Sequence, residues 1–373
     1  MKGFFVISDI SGYTEFLTES ELSHASEIIQ GIMKSMISQV TSPLKISNFQ
    51  GDAILMYAPE EEIIVGQSLI HQIEQIYFSF QKHLQTTRFN TTCECKACSN
   101  TSKLDLKFFI HYGEYEIQKI GNREELIGTD IILIHRLMKN DVIEKTGIQA
   151  YALFTEKAAN KLDLNGYCDT LIDHFEEVSN IGEIKIDVYS LKTAWEKYLA
   201  SDTNRVVVDS EEDYVTIEHE IHFPPSVVWN YITKAELKKE WLQMTATVHT
   251  PSKKIKSESK GIYGKGSEYH CAHDSGDQDY RVVDWRPFHY MTVEGANPLF
   301  SFRQMTLLEP TEFGCKYTVR VIPHSKKAIR SFFNTRKAMK AQQMMQQLYN
   351  ECHRLLPKYI EGHQKEIKVL NIN

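Results

Sequence analysis

The chain has 373 residues and a net charge of −7, with 42% hydrophobic and 24% charged residues. These proportions are typical of a soluble globular protein with two or three domains. The acidic balance excludes a general nucleic-acid binder, because no surplus of lysine and arginine exists to neutralise phosphates. The sequence lacks a membrane-spanning apolar run, and Asp9 interrupts the short apolar start, so neither a transmembrane segment nor a signal peptide is expected. The seven cysteines fit a reducing cytoplasm.

Strand-like and helix-like patterns alternate over residues 1–195 and predict an α+β domain. Helices are expected over Glu21–Gln39 and Ile63–Gln85, and a strand over Leu104–His111. The polar, cysteine-containing stretch Thr86–Lys103 is interpreted as a loop. Residues 196–213, polar and acidic at both ends, predict a linker.

The pattern changes over residues 214–373. A strand pattern from Tyr214 to Ile221 precedes a helix that begins near Pro225, where proline is tolerated in the first turn. A second short helix is expected to end near Trp241. Five more strands follow, namely Gly261–Cys271, Tyr280–Trp285, His289–Val293, Ser301–Leu308 and Lys316–Val321. A long helix over Ser325–Ile360 is expected to close the domain.

Two short stretches carry most of the functional information. The first, FFVISDISGYTE, is an apolar strand pattern that ends at Asp9, followed by a glycine turn and the start of a helix. Such a junction aims backbone N–H groups at an anion. The second, NFQGDAIL, places Asp52 at a Gly-Asp turn between two apolar segments. Two carboxylates close in space suit Mg²⁺ or Mn²⁺ with phosphate oxygens as further ligands, whereas each aspartate taken alone is more typical of a turn or helix cap.

These stretches resemble the signature of class III nucleotide cyclases. Further landmarks follow in order: Phe108 to Gly113 is similar to the family's strand ending in His-x-Gly, Glu125 to Leu137 to its helix, and Ile181 to Tyr189 to its closing strand. The resemblance implies a ferredoxin-like α/β sandwich that binds a purine nucleoside triphosphate. It implies metal contacts at Asp9, Ile10 and Asp52. It also implies a phosphate cradle in the backbone of Ile10, Ser11, Gly12, Tyr13 and Thr14.

The departures from the family pattern affect catalysis more than binding. The first purine-reading position is Asn48, which specifies neither adenine nor guanine, and the second is Glu125, which tilts the prediction toward ATP. Where the family has an asparagine that orients the ribose, this chain has Ile132. The family's catalytic arginine corresponds to Arg136, for which a surface arginine is an equal alternative. We therefore expect nucleotide binding with weak or absent cyclisation.

Three cysteines, Cys93, Cys95 and Cys98, form a further cluster. They suit Zn²⁺ or an iron–sulfur centre if Cys168 or a histidine supplies a fourth ligand, and otherwise they are reduced thiols in a polar segment.

The element order of residues 214–373, with a Pro-x-x-Val-Trp segment at Pro225, resembles the START-like (SRPBCC, polyketide-cyclase-like) helix-grip fold. That resemblance implies a cavity for an apolar small molecule or lipid. Together the two resemblances predict a cytoplasmic signalling or sensing protein, with a head-to-tail homodimer in which Asp9 and Asp52 face Arg136 of the other copy. The alternatives are an active adenylate or guanylate cyclase and a scaffold that binds no nucleotide.

Overall fold

The computed structural model divides into two compact units, unit 1 (Met1–Asp202) and unit 2 (Thr203–Asn373). Among the helices of the described residues, none combines the length and hydropathy that crossing a bilayer requires. The structure describes residues 1–63, 66–90, 95–121, 123–164, 171–179, 181–203, 206, 215–234, 237–238, 240–241, 248–251, 264–273, 278–296, 301–323 and 336–370.

Unit 1 mixes helices and strands, which confirms the predicted α+β class. Its strands are β1 (Lys2–Ser11), β2 (Lys45–Gln50), β3 (Ala53–Pro59), β4 (Asp105–Glu114), β5 (Glu116–Ile120), β6 (Arg123–Ile127), β7 (Tyr151–Thr155), β8 (Ile172–Val178) and β9 (Gly182–Ser190). Its helices are α1 (Tyr13–Thr18), α2 (Leu22–Ile37), α3 (Gly66–Asn90), α4 (Lys96–Asn100), α5 (Thr129–Leu137), α6 (Val142–Thr146), α7 (Glu156–Leu162) and α8 (Leu191–Thr203).

Seven strands of unit 1 form one sheet in the order β2-β3-β1-β4-β7-β9-β8, in which β4 and β7 are parallel and the other pairs antiparallel. Side chains of β1 alternate between the two faces. Phe4 and Val6 enter one apolar core with α2 and α3, whereas Phe5 and Ile7 enter another with α5. Because both faces are covered, β1 is an almost continuous apolar run, and Asp9 near its end is an exception that needs an explanation.

The predicted loop over Thr86–Lys103 is wrong for most of the described residues. Helix α3 continues to Asn90, and α4 and a 3₁₀ turn at Thr101–Lys103 follow. Arg88 ties the end of α3 to this segment by donating to the Thr101 carbonyl at 3.0 Å. Ala97 and Cys98 are buried and hold this segment against the core. The polar composition of the surrounding residues gave no sign of that packing.

The predicted linker 196–213 begins inside α8. Near the start of this helix, Trp195 stacks on Tyr198, and both rings contact Phe78 of α3. These aromatic contacts hold the helix against unit 1 and extend regular structure into the polar stretch.

Unit 2 consists of an antiparallel sheet and several helices. Its strands are β10 (Val215–Ile221), β11 (Val248–Pro251), β12 (Glu268–His273), β13 (Gln278–Arg286), β14 (Tyr290–Ala296), β15 (Ser301–Thr311) and β16 (Gly314–Pro323), in the order β10-β16-β15-β14-β13-β12-β11. Its helices are α9 (Pro225–Thr233), α10 (Arg336–His353) and α11 (Leu356–Leu370).

Two predicted elements of unit 2 differ from the structure. Of the strand expected over Gly261–Cys271, residues 261–263 lie outside the described part of the chain. Among the residues that follow, the strand begins at Glu268, after a turn closed by the Ser267 N–H to Gly264 carbonyl bond. The single long C-terminal helix is divided into α10 and α11, since Pro357 has no N–H to bond the carbonyl of His353 and its ring displaces that carbonyl. The first part of the expected helix, residues 325–335, lies outside the described residues.

Candidate functional site

Asp9 and Asp52 lie at one end of the central strands of unit 1. Asp9 is opposite Lys107 in the ladder between β1 and β4, and directly opposite residues share a face of the sheet. Asp52 occupies the turn between β2 and β3, immediately after Gly51, whose φ of 67° lies in the left-handed region. Because Ser8 pairs with Ile54, the β2–β3 turn lies next to the end of β1.

The two carboxylates repel each other. Burial and the charge of Asp52 raise the pKa of Asp9, while the Lys107 ammonium lowers it. Burial also raises the pKa of Asp52. Lys107 offsets charge at Asp9, and the negative charge that remains on the two partly buried carboxylates favours a divalent cation. Carboxylate oxygens are the ligands that Mg²⁺ and Mn²⁺ prefer, so the donor set fits the predicted ions.

The turn after β1 is closely packed. Gly12 has a φ of 80°, and a Cβ at this position would lie 2.6 Å from the Lys103 carbonyl oxygen, so only glycine fits. Tyr13 and Thr14 begin α1, where the first N–H groups have no partner within the helix. The side chain of Ile10 is in the apolar core, which leaves only its backbone available to a ligand.

Ser11 has a buried hydroxyl with no hydrogen-bond partner among the described residues. It lies two positions after Asp9 in β1 and therefore projects to the same face of the sheet. A ligand that brings an acceptor oxygen to this position would satisfy the hydroxyl. We call Asp9, Ser11, Asp52 and Lys107 the carboxylate corner.

The two predicted purine-reading residues are in direct contact. The Asn48 amide donates to Glu125 Oε2 at 2.8 Å and accepts from Gln50 at 3.3 Å. The register of β2 against β3 shifts between Ile46 and Asn48, and this bulge re-aims the Asn48 side chain. The structure thus brings together residues that are distant in sequence, and it also gives each of them an internal partner.

Ile132 and Arg136 lie one turn apart on the solvent-facing side of α5, whereas Ile131, Leu133 and Ile134 are buried. Ile132 is 53% exposed. Arg136 donates to the carbonyl of Ser179. Among the described residues, no hydrogen bond or ion pair joins either side chain to Asp9 or Asp52. We call Ile132 and Arg136 the α5 face.

The asparagine that comes nearest in sequence does not replace Ile132. Asn140 lies beyond α5, where its Oδ1 accepts from the Tyr151 hydroxyl at 2.8 Å and its amide donates to the Leu137 carbonyl at 2.9 Å. These bonds fix the connection from α5 to α6.

His111 links β4 to α5. Its Nε2 is 2.9 Å from Asp130 Oδ1 and its Nδ1 is 2.8 Å from the Thr155 hydroxyl. Burial lowers the pKa of His111 despite the Asp130 carboxylate, so the ring is a packed structural group. Gly113 is required beside it, because a Cβ there would lie 2.3 Å from the Asp130 carboxyl group.

Among the described residues of unit 1, two groups of side chains could hold a metal ion. One contains His24, Cys95 and Cys98, and therefore brings a histidine to two of the predicted cysteines; Cys93 and Cys168 lie outside the described residues. The other contains Asp141, His174 and Glu176.

The second cluster is a network of internal ion pairs. His174 Nε2 is 2.8 Å from an Asp141 oxygen and 3.0 Å from a Glu176 oxygen, and Lys145 pairs with Asp141 at 2.7 Å. His174 contacts both carboxylates of the cluster, and Lys145 contacts Asp141 as well. We therefore assign the cluster a structural role.

A family described as a protein of unknown function (DUF2652) matches residues 29–146. The uncharacterized protein Rv2561/Rv2562 of Mycobacterium tuberculosis is 31% identical over 120 residues, which cover 32% of this chain and 54% of the relative. The chain thus spans about half the length of that curated relative.

Solved structures similar to part of the chain include three cyclases. A bacterial light-regulated adenylyl cyclase has a TM-score of 0.40 at 14% identity and covers 51% of this chain and 52% of its own. The guanylyl cyclase Cya2 has a TM-score of 0.38 at 14% identity, with coverages of 50% and 91%. The adenylyl cyclase CyaB of P. aeruginosa has a TM-score of 0.38 at 15% identity, with coverages of 50% and 94%.

Sequence reasoning missed Lys107. The signal was available, because a lysine in the apolar run of β4 is unusual unless its ammonium has a partner. Its role depends on the register of β4 against β1, which places Lys107 opposite Asp9. Burial lowers the pKa of Lys107, while Asp9 and Asp105 raise it. The lysine thus belongs electrostatically to the carboxylate corner.

Proposed function

We propose that unit 1 binds a purine nucleoside triphosphate, with ATP favoured, together with Mg²⁺ or Mn²⁺, and converts it slowly or not at all. The single observation that carries this proposal is the carboxylate corner. Asp9 and Asp52 are both partly buried, and as two anions they repel each other, which destabilises their ionised forms. A divalent cation bound between them would remove that repulsion. A cation held in this way still needs oxygen ligands, which a phosphate supplies.

Each residue of the corner has a distinct part in binding. Asp9 and Asp52 would hold the cation, with the Ile10 backbone beside them. The backbone N–H groups around Gly12 would donate to oxygens of the terminal phosphates, because the first turn of a helix presents unpaired donors. The Lys107 ammonium neutralises negative charge on the same face, and the Ser11 hydroxyl gains the acceptor that it lacks. When bound, the metal supplies Lewis-acid activation of the phosphate.

Weak turnover is inferred from the α5 face. Isoleucine cannot donate to a ribose oxygen, and the absence of one oriented donor costs roughly a hundredfold in rate. Arg136 could stabilise charge that develops on a phosphate only after it leaves the Ser179 carbonyl. The rival, a functioning adenylate or guanylate cyclase, requires another group to take the role that Ile132 cannot fill.

A second copy of the chain is proposed to complete the site. Asp9 and Arg136 are not in contact within one chain, so the arginine that meets the phosphate would come from the other copy. Exposed apolar side chains around the predicted purine positions support a buried contact: Phe49 is 53% exposed, and Ile117 and Ile127 of the β5–β6 hairpin are 38% and 40% exposed.

For unit 2 we propose a START-like domain that takes an apolar small molecule or lipid. The support is the order of its elements: a strand, the helix α9, an antiparallel sheet and the C-terminal helices. This role would make the chain a sensor that couples a hydrophobic ligand to a nucleotide site.

Isothermal titration of the full chain with ATP and Mn²⁺ tests the nucleotide proposal. We expect saturable binding that is weakened at least about a hundredfold in Asp52→Asn and Asp9→Asn, because each change removes a charged metal ligand. Asp173→Asn is the matched control, since it removes an exposed carboxylate of the same unit and should leave the affinity unchanged.

Two outcomes would contradict the proposal. Absence of heat and of thermal stabilisation with ATP or GTP would favour the scaffold alternative; a ligand at a hundred times its dissociation constant should add about 2.7 kcal/mol of stability. Clear cyclic nucleotide formation by the unmodified chain, lost in Asp52→Asn, would replace weak turnover by an active cyclase.

A further inference from the structure

His24, Cys95 and Cys98 form a compact group of nitrogen and sulfur atoms. His24 Nδ1 is 3.1 Å from Cys95 Sγ, and Cys98 Sγ is 3.9 Å from both ring nitrogens of His24. One ligand atom from each residue lies within 4.8 Å of the others. Zinc bonds of about 2.3 Å to sulfur and 2.0–2.1 Å to nitrogen, at tetrahedral angles, separate ligand atoms by roughly 3.5–3.8 Å. The three side chains already lie close to that spacing.

The three ligands come from two elements that are held together independently of any metal. His24 belongs to α2, while Cys95 and Cys98 lie at the start of α4. The Glu21 carboxylate accepts from the Ala97 N–H at 3.2 Å, which joins the two elements next to the cluster. The Thr101 hydroxyl donates to the Cys98 carbonyl at 2.8 Å. The ligands are thus positioned in advance, which lowers the entropic cost of binding an ion.

The chemistry of the group favours a soft or borderline cation over Mg²⁺. Cys95 Sγ accepts a hydrogen bond from the Cys98 N–H at 3.4 Å, which holds this sulfur beside Cys98. Cys98 is almost fully buried, so its thiol would lose its proton only with a cation beside it, and His24 and Cys95 are placed to hold such a cation, a neighbour group of the kind that Cys315 is not shown to have. Two thiolates and one imidazole are a typical zinc donor set.

We propose that His24, Cys95 and Cys98 bind one zinc ion, which clasps α4 to α2 and leaves a fourth position for water or another ligand. Binding releases the thiol protons as the two Zn–S bonds form, and no electron transfer is involved. The site is independent of the nucleotide proposal, because its ligands do not include any residue of the carboxylate corner.

The test is the zinc content of the untagged full chain, purified with a reductant and dialysed against a zinc-containing and then a zinc-free buffer. We expect one zinc per chain. Replacement by Co²⁺ should produce an intense thiolate-to-cobalt charge-transfer band. Cys95→Ser and Cys98→Ser should each lower the zinc affinity at least about tenfold and weaken that band, and His24→Ala should shift the ligand-field bands while the thiolate band remains.

Two controls separate this site from others. Cys315→Ser should leave the zinc content unchanged, because burial raises the pKa of the Cys315 thiol to about 12 and keeps it protonated. His174→Ala tests the Asp141–His174–Glu176 cluster, whose oxygen and nitrogen ligands cannot give the charge-transfer band.

Three results would overturn the proposal. The first is a chain that retains no zinc and gives no thiolate band with Co²⁺. The second is zinc that survives in the Cys95→Ser, Cys98→Ser double variant but is lost in His174→Ala. The third is a disulfide between Cys95 and Cys98 in the protein purified under reducing conditions. Circular dichroism of the double variant distinguishes lost ligands from lost folding.

Discussion

The carboxylate corner and the α5 face differ in how their charges are satisfied. At the corner, two carboxylates repel each other with one lysine nearby, and the Ser11 hydroxyl has no partner among the described residues. At the α5 face, Arg136 is bound to a backbone carbonyl and the neighbouring position is an isoleucine. The group of charges with fewer internal partners is the better suited of the two to bind an external ligand. Triphosphate binding and catalysis at the ribose can therefore depend on different groups of residues within one fold.

The largest expected effect is a gain of activity in Ile132→Asn. The side chain is exposed, so the change costs little stability, and it places an amide one turn before Arg136. We expect cyclic nucleotide formation from ATP and Mn²⁺ to rise roughly a hundredfold, measured by chromatography. Ile132→Leu should change nothing, and Asp52→Asn added to Ile132→Asn should abolish the gain. An inactive Ile132→Asn with intact ATP binding would mean that the α5 face lacks more than one donor.

Gly113→Ala should affect both regions together, since β4 carries Lys107 and contacts α5 through Asp130. The new methyl group would displace the Asp130 carboxyl group, which accepts from the Glu114 N–H at 2.8 Å and contacts His111. We expect a loss of about 1–3 kcal/mol in the free energy of unfolding, measured in urea.

Gly31→Ala is the control for this change. Its Cβ would meet only the end of the His83 side chain, at 2.6 Å, which can rotate away more easily. Equal losses for the two variants would show that the contact between Gly113 and Asp130 has no special importance.

Asp52→Asn should stabilise the metal-free protein at neutral pH. Because the pKa values of Asp9 and Asp52 are raised in the folded state, the ionised carboxylates destabilise the fold. This penalty is fully present at a pH above the raised values, shrinks as pH falls through them, and is gone below the ordinary aspartate pKa. The gain should be below about 1 kcal/mol, since both groups are partly solvated. Thermal melting in a chelator as a function of pH measures it. A destabilised variant at pH 7 would mean that Asp52 has a favourable partner.

The smallest effect is expected from Glu125→Gln. The carboxylate accepts from Asn48 and, in the proposed complex, from the adenine amine, whereas glutamine can also donate. The ratio of ATP to GTP affinity should fall a few fold, in line with about 1 kcal/mol per hydrogen bond. Glu124→Gln, an exposed neighbour on β6 that pairs with Lys119, should leave the ratio constant. An unchanged ratio in both variants would exclude Glu125 from base recognition.

The sequence predicted the helix α2 and the central strands, because periodicity and turn residues report local structure directly. Asp52 does lie near enough to Asp9 to raise its pKa, while metal binding by the two carboxylates stays a prediction. The sequence did not predict the contact between Asn48 and Glu125 or the position of Lys107, since both depend on strand register. The helical segment after α3 was missed because Ala97 and Cys98 are buried by long-range contacts. Pro357 alone could have predicted the break in the C-terminal helix. It was missed because the amphipathic spacing continues on both sides of the proline.

The bulge between Ile46 and Asn48 makes chain length a determinant of specificity. With Ser47 removed, Ile46 and Asn48 would become neighbours that pair with Met56 and Leu55 without a bulge, so the strand would keep its register. The local bend that re-aims the Asn48 side chain would be lost. An insertion or deletion in this six-residue strand could thus alter base selection while each contacting side chain kept its identity, a route to new specificity that comparisons of residue types alone would miss.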